Sequence, residues 1–226
     1  MACAGFLLRG SALTVLLDGP RRSGDACAVL TLADIRAALA AREHVPAAFR
    51  PAPSHAAVAM ILADGDTGLD VCFIRRAERR GDPWSGQVAF PGGRAGIHDK
   101  DAHAVAERET REEIGLELGS HHRVGPLPIR PDVRGGLTLS PFVYHVDDFV
   151  RAQAHARLPH EVASVFWVPL SHLFDSHAAT ELEYPGGAGG SWWPGIRYGE
   201  HVIWGLTLRV LQSFADIVER ELAVTP

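Results

Sequence analysis

Three glutamates at helical spacing are the residues whose types and positions most clearly indicate chemistry. Glu109, Glu112 and Glu113 stand at i, i+3 and i+4 in a run that ends at Gly115, so on a helix their carboxylates share one face. They fall in the last turn, where the helix dipole is negative and favours cations. A bound hard cation, Mg²⁺ or Mn²⁺, would relieve the repulsion among these oxygen ligands.

The surrounding sequence favours a metal site over the more common alternative, a solvated charged helix face. Gly92-Gly93 follows a strand-like run and precedes the acidic segment, and adjacent glycines let the backbone approach a metal ion or phosphate closely. Arg108 lies four residues before Glu112, so we expect it to orient that carboxylate. On another face of the helix, we expect Arg111 to pair with Glu107.

Hydrophobic patterning predicts the elements that position these residues. Strand-like runs occur at 55–63, 70–76, 87–90 (ending at Pro91), 124–130, 138–147 and 163–169. Helical patterns cover 31–45, 102–115, 169–174 and 206–222, and a last hairpin turns at Tyr198-Gly199. Asp99 or Asp101 can cap the acidic helix. This mixture predicts the α/β (α+β) class, with a mixed sheet between helices.

Length and composition limit the class of protein. The 226 residues fit one domain, which we place at 29–226 after an N-terminal extension at 1–28. The net charge of -5 gives no basic footprint for nucleic acid, and no apolar run approaches the ~20 residues of a membrane span. Three widely spaced cysteines argue against a disulfide framework or a zinc site. We expect a cytoplasmic protein with a small-molecule partner, and a homodimer is one possible assembly.

The residues around the acidic helix resemble the Nudix box. In that pattern a glycine, five residues, a glutamate and seven residues precede Arg-Glu-U-x-Glu-Glu-x-Gly-U, where U is bulky and apolar. The matching positions are Gly93, Arg108, Glu109, Glu112, Glu113, Gly115 and Leu116. The spacing from Gly93 to Arg108 is one residue longer, Lys100 stands where the first glutamate would fall, and Thr110 fills an apolar position. The resemblance implies the Nudix fold.

Flanking segments resemble the coenzyme A diphosphatase branch of that family. The run Ser-Gly-Gln-Val-Ala-Phe-Pro-Gly-Gly at 85–93 is similar to its upstream signature, and 160–170 and 201–211 are similar to its C-terminal half. The resemblance covers roughly residues 30 to 220. The chain departs from the branch at 72–77, Cys-Phe-Ile-Arg-Arg-Ala in place of Leu-Leu-Thr-x-Arg-Ser, and the segment from Arg76 to Gly86 is one residue longer.

The resemblance implies a hydrolase in which Mg²⁺ (or Mn²⁺) assists the attack of water on a phosphorus of a diphosphate. Glu109 and Glu113 are the implied direct metal ligands, and Glu112 binds a second ion or takes the proton of the water. The Gly93 carbonyl is a possible further metal ligand, and Glu161 is an additional base or ligand. Arg108 is expected to contribute to catalysis. The residues expected to contact the substrate are Arg75, Arg76, Arg79, Arg80, Gln87 and Gly92.

Three functions remain open from the sequence. The first is hydrolysis of coenzyme A or an acyl-coenzyme A to adenosine 3′,5′-bisphosphate and a phosphopantetheine. The second is hydrolysis of another nucleoside diphosphate derivative, and the third is a Nudix-fold binding module without turnover, against which the four intact residues Arg108, Glu109, Glu112 and Glu113 argue. We also expect Trp204 in the core and Trp192-Trp193 in a mobile lid over the substrate.

Overall fold

The main sheet is mixed and contains the strands that surround the acidic helix. The computed structural model describes residues 29–42, 49–82, 84–131, 136–183 and 190–224. Within these residues the main sheet contains β1 (His55–Gly65), β2 (Gly68–Arg76), β3 (Val88–Ala89), β4 (Gly92–Arg94), β5 (Arg123–Pro126), β6 (Arg130–Pro131), β7 (Thr138–Val146) and β8 (Val162–Pro169). The pair β1–β7 is parallel and the other pairs are antiparallel.

Strands β1 and β2 diverge beyond their shared turn, and the acidic helix packs against the sheet in this region. The two strands pair only near their shared turn, from Leu62 with Val71 to Gly65 with Gly68. Further along, β3 pairs with β2, whereas β4 pairs with the beginning of β1. The chain from β3 to β4 therefore fills the gap between two strands of the hairpin.

Helices cover both faces of this sheet. The helices are α1 (Leu32–Ala40), α2 (Ala102–Ile114), α3 (Asp148–Arg151) and α4 (Gly205–Ile217). Alternate residues of β2 divide between two apolar clusters: Cys72 and Ile74 lie in the cluster that contains residues of α2, and Val71 and Phe73 lie in the cluster that contains residues of α1 and α4. Because strand side chains alternate between faces, this division confirms the predicted class, a mixed sheet between helices.

A second, smaller sheet lies against one end of the first. It consists of β9 (Ala179–Glu183), β10 (Trp192–Tyr198) and β11 (His201–Trp204), which is followed directly by α4. The Thr207 hydroxyl of α4 donates to the Val88 carbonyl of β3 at 3.0 Å, so this bond ties α4 to the main sheet. Trp204 is buried, as predicted.

Most predicted elements are present, but some boundaries were wrong. The strand expected to end at Pro91 resumes as β4, because the Pro91 carbonyl and Gly92–Arg94 bond to β1. The last helix ends at Ile217 and not at 222, and Glu219 then takes a positive φ of 55°. Residues 1–28, the predicted extension, lie outside the described residues, and no helix of the described residues is long and apolar enough to cross a membrane.

Candidate active site

The acidic helix α2 presents its three glutamates at different depths. Asp101 caps its start by accepting a hydrogen bond from the Ala104 N–H at 2.7 Å, and Gly115 ends it in the left-handed conformation with φ 78°. Glu113 is only 4 % exposed. The side chain of Glu109 is 17 % exposed and that of Glu112 is 43 % exposed. The sequence-predicted carboxylates therefore range from buried to open.

The double glycine lies directly against the two inner carboxylates. The Gly92 N–H donates to Glu113 Oε2 at 2.9 Å. A Cβ atom on Gly93 would lie 2.4 Å from Glu109 Cδ, so the glycine backbone and this carboxylate are in contact. β4 and α2 thus bring together four of the predicted site residues, Gly92, Gly93, Glu109 and Glu113.

Arg108 organises the outer side of this cluster. Its guanidinium donates to Asp99 through two bonds of 3.0 and 2.8 Å, to Glu109 at 2.8 Å and to Glu112 at 3.1 Å. It also donates to the Arg94 carbonyl at 3.1 Å. The bond to Glu112 confirms that Arg108 orients this carboxylate, and the bond to Arg94 connects α2 with β4.

Asp99 is the site residue that sequence reasoning missed in its role. The sequence left Asp99 and Asp101 as alternative caps, and the structure gives the cap to Asp101. Asp99 is buried and accepts two bonds from Arg108, and this pairing lowers the pKa of its carboxyl. The extra residue before Arg108 and Lys100 in place of a glutamate were the available signals, because both depart from the family pattern beside Asp99.

Burial dominates the electrostatics of the inner carboxylates. Removal from water, followed by the charges of Glu109 and Glu161, raises the pKa of Glu113 to about 8 against the opposing Gly92 N–H and Arg76 guanidinium. Burial also raises the pKa of Glu109, which Arg108 partly offsets. Two neighbouring carboxylates that resist ionisation need nearby positive charge to become anionic together.

The donor set fits a hard divalent cation by its chemistry. Glu109 and Glu113 supply carboxylate oxygens beside the Gly93 backbone, and such oxygens are the ligands that Mg²⁺ and Mn²⁺ prefer. Among the described residues, no group of three or more acidic, histidine or cysteine side chains is arranged so that all could bind one metal ion. The Glu109 carboxylate accepts a hydrogen bond from Arg108, and the Glu113 carboxylate accepts one from the Gly92 N–H.

The predicted substrate arginines are partly engaged by acids. Arg75 pairs with Glu78 at 2.8 Å, and Arg76 pairs with Asp82 at 2.9 Å. The Arg76 Nε atom is buried without a hydrogen-bond partner in the described part of the chain, and this arginine acts electrostatically on Glu113. Arg76 is therefore close enough to the glutamate cluster for its charge to favour ionisation of Glu113.

Glu161 and Arg79 form a neighbouring pair. Arg79 Nη2 lies 3.5 Å from Glu161 Oε1, and Arg79 Nε donates to the His160 carbonyl at 2.6 Å. The charge of Glu161 contributes to the raised pKa of both Glu109 and Glu113, so it acts on them electrostatically from outside the helix. The predicted pairing of Arg111 with Glu107 was wrong, because Glu107 instead pairs with Arg123 of β5 at 2.7 Å.

The two glycines should respond differently to alanine. At Gly93 the added Cβ meets only the flexible end of Glu109, so we expect a folded protein whose activity falls about ten- to a hundredfold as that carboxylate is displaced. At Gly92, with φ 149°, the Cβ would lie 2.3 Å from the Ala57 carbonyl oxygen, so we expect a loss of about 2–4 kcal/mol in the free energy of unfolding. Denaturant unfolding and turnover measure both. Equal destabilisation by the two variants would contradict the distinction.

Comparison with known proteins identifies the family. The NUDIX domain model matches residues 53–185. The chain is 32% identical over 159 residues to the mitochondrial coenzyme A diphosphatase of Mus musculus, covering 70% of this chain and 74% of that protein. The Homo sapiens counterpart is 32% identical over 171 residues, covering 75% and 71%. A MutT/nudix family protein from Enterococcus faecalis shares the fold, with TM-score 0.51, 17% identity and coverage of 78% of this chain and 66% of that one. The chain therefore belongs to the Nudix family and is a Nudix hydrolase.

Proposed function

We propose that this chain is a Mg²⁺-dependent diphosphatase of coenzyme A or an acyl-coenzyme A. Its products are adenosine 3′,5′-bisphosphate and (acyl-)phosphopantetheine. The observation that carries the proposal is the contact of Glu109 and Glu113 with Gly92-Gly93, within a region 32% identical to two coenzyme A diphosphatases. We further propose a cytoplasmic location. The homodimer and the single domain at 29–226 stay predictions.

The glutamate cluster supplies the groups that hold the metal. Glu109 and Glu113 would bind it, with Glu112 and the Gly93 carbonyl as further oxygen donors. Bound Mg²⁺ supplies positive charge that polarises a phosphoryl oxygen and lowers the pKa of bound water. Arg108 fixes the carboxylates of Glu109 and Glu112 through its hydrogen bonds, so fewer of these side chains must become ordered during the reaction.

Hydrolysis requires a proton acceptor beside the buried acids. The oxygen of water forms a bond to one phosphorus, the bond from that phosphorus to the bridging oxygen breaks, and the bridging oxygen leaves with the other phosphate. Glu112 is the most exposed carboxylate on the helix face, so we assign it the proton that the water loses. The side chain of Glu161 is similarly exposed, at 41 %, and Glu161 is the alternative proton acceptor.

Cations at the end of β2 and on the loop that follows it would bind the phosphates of the substrate. Arg76 offers a buried Nε without a partner among the described residues. Arg80 is exposed and makes no ion pair in the part of the chain that the structure describes. A guanidinium suits phosphate oxygens because its donors are planar and permanently charged. We therefore assign Arg76 to the diphosphate and Arg79 and Arg80 to the 3′-phosphate of coenzyme A.

One observation favours a second substrate class, nucleoside diphosphate derivatives without a 3′-phosphate. Glu78 and Glu161 already pair with Arg75 and Arg79, which lowers the positive charge available for an additional dianion. Such a substrate, an adenine dinucleotide or a sugar nucleotide, needs cations only at its diphosphate.

A substrate panel tests the proposal. The purified chain is incubated with coenzyme A, acetyl-coenzyme A, dephospho-coenzyme A or ADP-ribose in ¹⁸O-water, with Mg²⁺, Mn²⁺ or a chelator. We expect fastest turnover of the coenzyme A substrates with Mg²⁺, products that carry one ¹⁸O atom by mass spectrometry, and no turnover with the chelator. Equal turnover of dephospho-coenzyme A would contradict the role of the arginines in binding the 3′-phosphate. Turnover of ADP-ribose alone would select the second class.

A further inference from the structure

A cavity beside the small sheet is lined by residues from both halves of the chain. It has a volume of about 330 Å³ and lies between the segment that enters β3 and the strands β9 and β11. Its lining includes Arg75, Gln87, Leu182, Glu200, His201 and Val202. Pockets for small ligands begin at about this size, so it can hold one ring system or a nucleoside but not a whole coenzyme A molecule.

The walls of the cavity are fixed by packing. The His201 ring stacks on Phe166 of β8, with centroids 4.1 Å apart and planes at 16°. Trp204, also in the lining, is 8 % exposed and meets Trp193 edge to face at 6.3 Å. Because the contact of His201 with Phe166 joins the small sheet to the main sheet, the cavity exists before a ligand arrives and needs little ordering on binding.

Charge in the cavity disfavours a phosphate as its occupant. The Arg75 guanidinium pairs with Glu78 at 2.8 Å, and Glu200 adds a carboxylate. The other polar side chains of the lining are Ser85, Gln87 and the stacked His201, and the Gln87 amide can both donate and accept hydrogen bonds. A carboxylate and an amide between apolar walls are suited to a flat, neutral group that carries an amine, since the amine donates to the carboxylate.

The cavity lies within reach of the glutamate cluster. Val88 lines it and precedes Gly92 by four residues, so their Cα atoms are at most about 14 Å apart. The Gly92 N–H donates to Glu113. The segment from Val88 to Gly92 therefore has the cavity at its first residue and the carboxylates at its last. A substrate whose diphosphate lies at Glu109 and Glu113 can therefore extend its nucleoside to the cavity.

We propose that this cavity binds the adenine base of the substrate, with Glu200 accepting a hydrogen bond from the 6-amino group. The inference rests on the proposed function, because the diphosphate must lie at the carboxylates. Gln87, predicted from the sequence to contact the substrate, then contacts the base, and Arg75 forms a wall of the base site and does not bind phosphate.

Filling the cavity tests its occupancy. We expect Val202→Phe to raise KM for coenzyme A and to weaken the binding of adenosine 3′,5′-bisphosphate by calorimetry, each about tenfold or more. Val150→Phe is the matched control, since Val150 is half-buried on α3 and does not line the cavity. If Val202→Phe raised KM but left the affinity for the bisphosphate unchanged, the cavity would hold the pantetheine arm and the proposal would be wrong. Equal effects of the two variants would overturn it as well.

Exchange of the base tests the role of Glu200. The wild type should prefer coenzyme A over the analogue with inosine in place of adenosine by about tenfold in kcat/KM. Glu200→Gln should reduce this preference, because its amide can donate to the inosine oxygen. An unchanged preference would overturn the assignment. The calorimetric arm needs no turnover, so a wild type that binds the bisphosphate but does not cleave coenzyme A would disprove the proposed function alone.

Discussion

Glu113→Gln is expected to lower turnover by two to three orders of magnitude while the metal-free protein unfolds at the same temperature or a higher one. The side chain is 4 % exposed, and burial together with Glu109 and Glu161 disfavours its charge. Glutamine keeps an oxygen to accept the Gly92 N–H, so the fold loses no hydrogen bond there. Because its raised pKa leaves Glu113 largely uncharged without metal, the exchange costs little stability. It removes the group that would ionise as a strong ligand for a hard cation, which accounts for the expected loss of rate.

Two measurements separate these effects. The first is kcat with Mg²⁺, and the second is the unfolding temperature with and without Mg²⁺. Wild-type protein should gain stability from the ion, because a ligand that binds only the folded state stabilises it, and Glu113→Gln should lose that gain. Glu117→Gln is the matched control, since Glu117 is exposed just after α2. A Glu113→Gln protein that unfolds well below the wild type without metal would contradict the account of an unfavourable buried charge.

Local sequence signals were sufficient for the acidic helix itself. The glutamates on one face and Gly115 act within α2, so spacing alone predicted its limits and the bond from Arg108 to Glu112, whereas the choice between Asp99 and Asp101 as the cap stayed open. The β1–β2 hairpin was predictable for the same reason, since its turn lies between two adjacent apolar runs.

Partners distant in sequence were not predictable. Gly92 and Gly93 form a strand because they bond to Val58 and Ala57 of β1, and nothing in the glycine pair itself indicates which strand lies beside it. The pairing of Glu107 with Arg123 likewise depends on where β5 runs relative to α2. Helical spacing predicted Arg111 as the partner of Glu107, but Glu107 pairs with an arginine of another element.

The end of β2 and the loop that follows it show a further limit of sequence reasoning. The arginines of this segment were predicted to bind substrate, and their charge alone could not reveal that Glu78 and Asp82 fold back onto Arg75 and Arg76. The lid hypothesis for Trp192 and Trp193 stays a prediction. Both lie in β10, so a lid built from them would move together with the small sheet.

Glu112→Gln and Glu161→Gln together identify the proton acceptor. The two carboxylates have similar exposure, 43 % and 41 %, but Glu112 shares the Arg108 guanidinium with the buried Glu109, whereas Glu161 contacts Arg79 outside the helix. We therefore expect kcat to fall at least about a hundredfold for Glu112→Gln and less than about tenfold for Glu161→Gln, with small changes in KM for both.

Chemical rescue separates proton transfer from mere positioning. In Glu112→Ala, added formate can enter the space of the lost carboxylate and accept the proton, so we expect formate to restore part of kcat in proportion to its concentration. A residue that only positioned its neighbours would show no such recovery. If formate rescued Glu161→Ala but not Glu112→Ala, the base would be Glu161, and the buried pair Glu109 and Glu113 would still carry the metal.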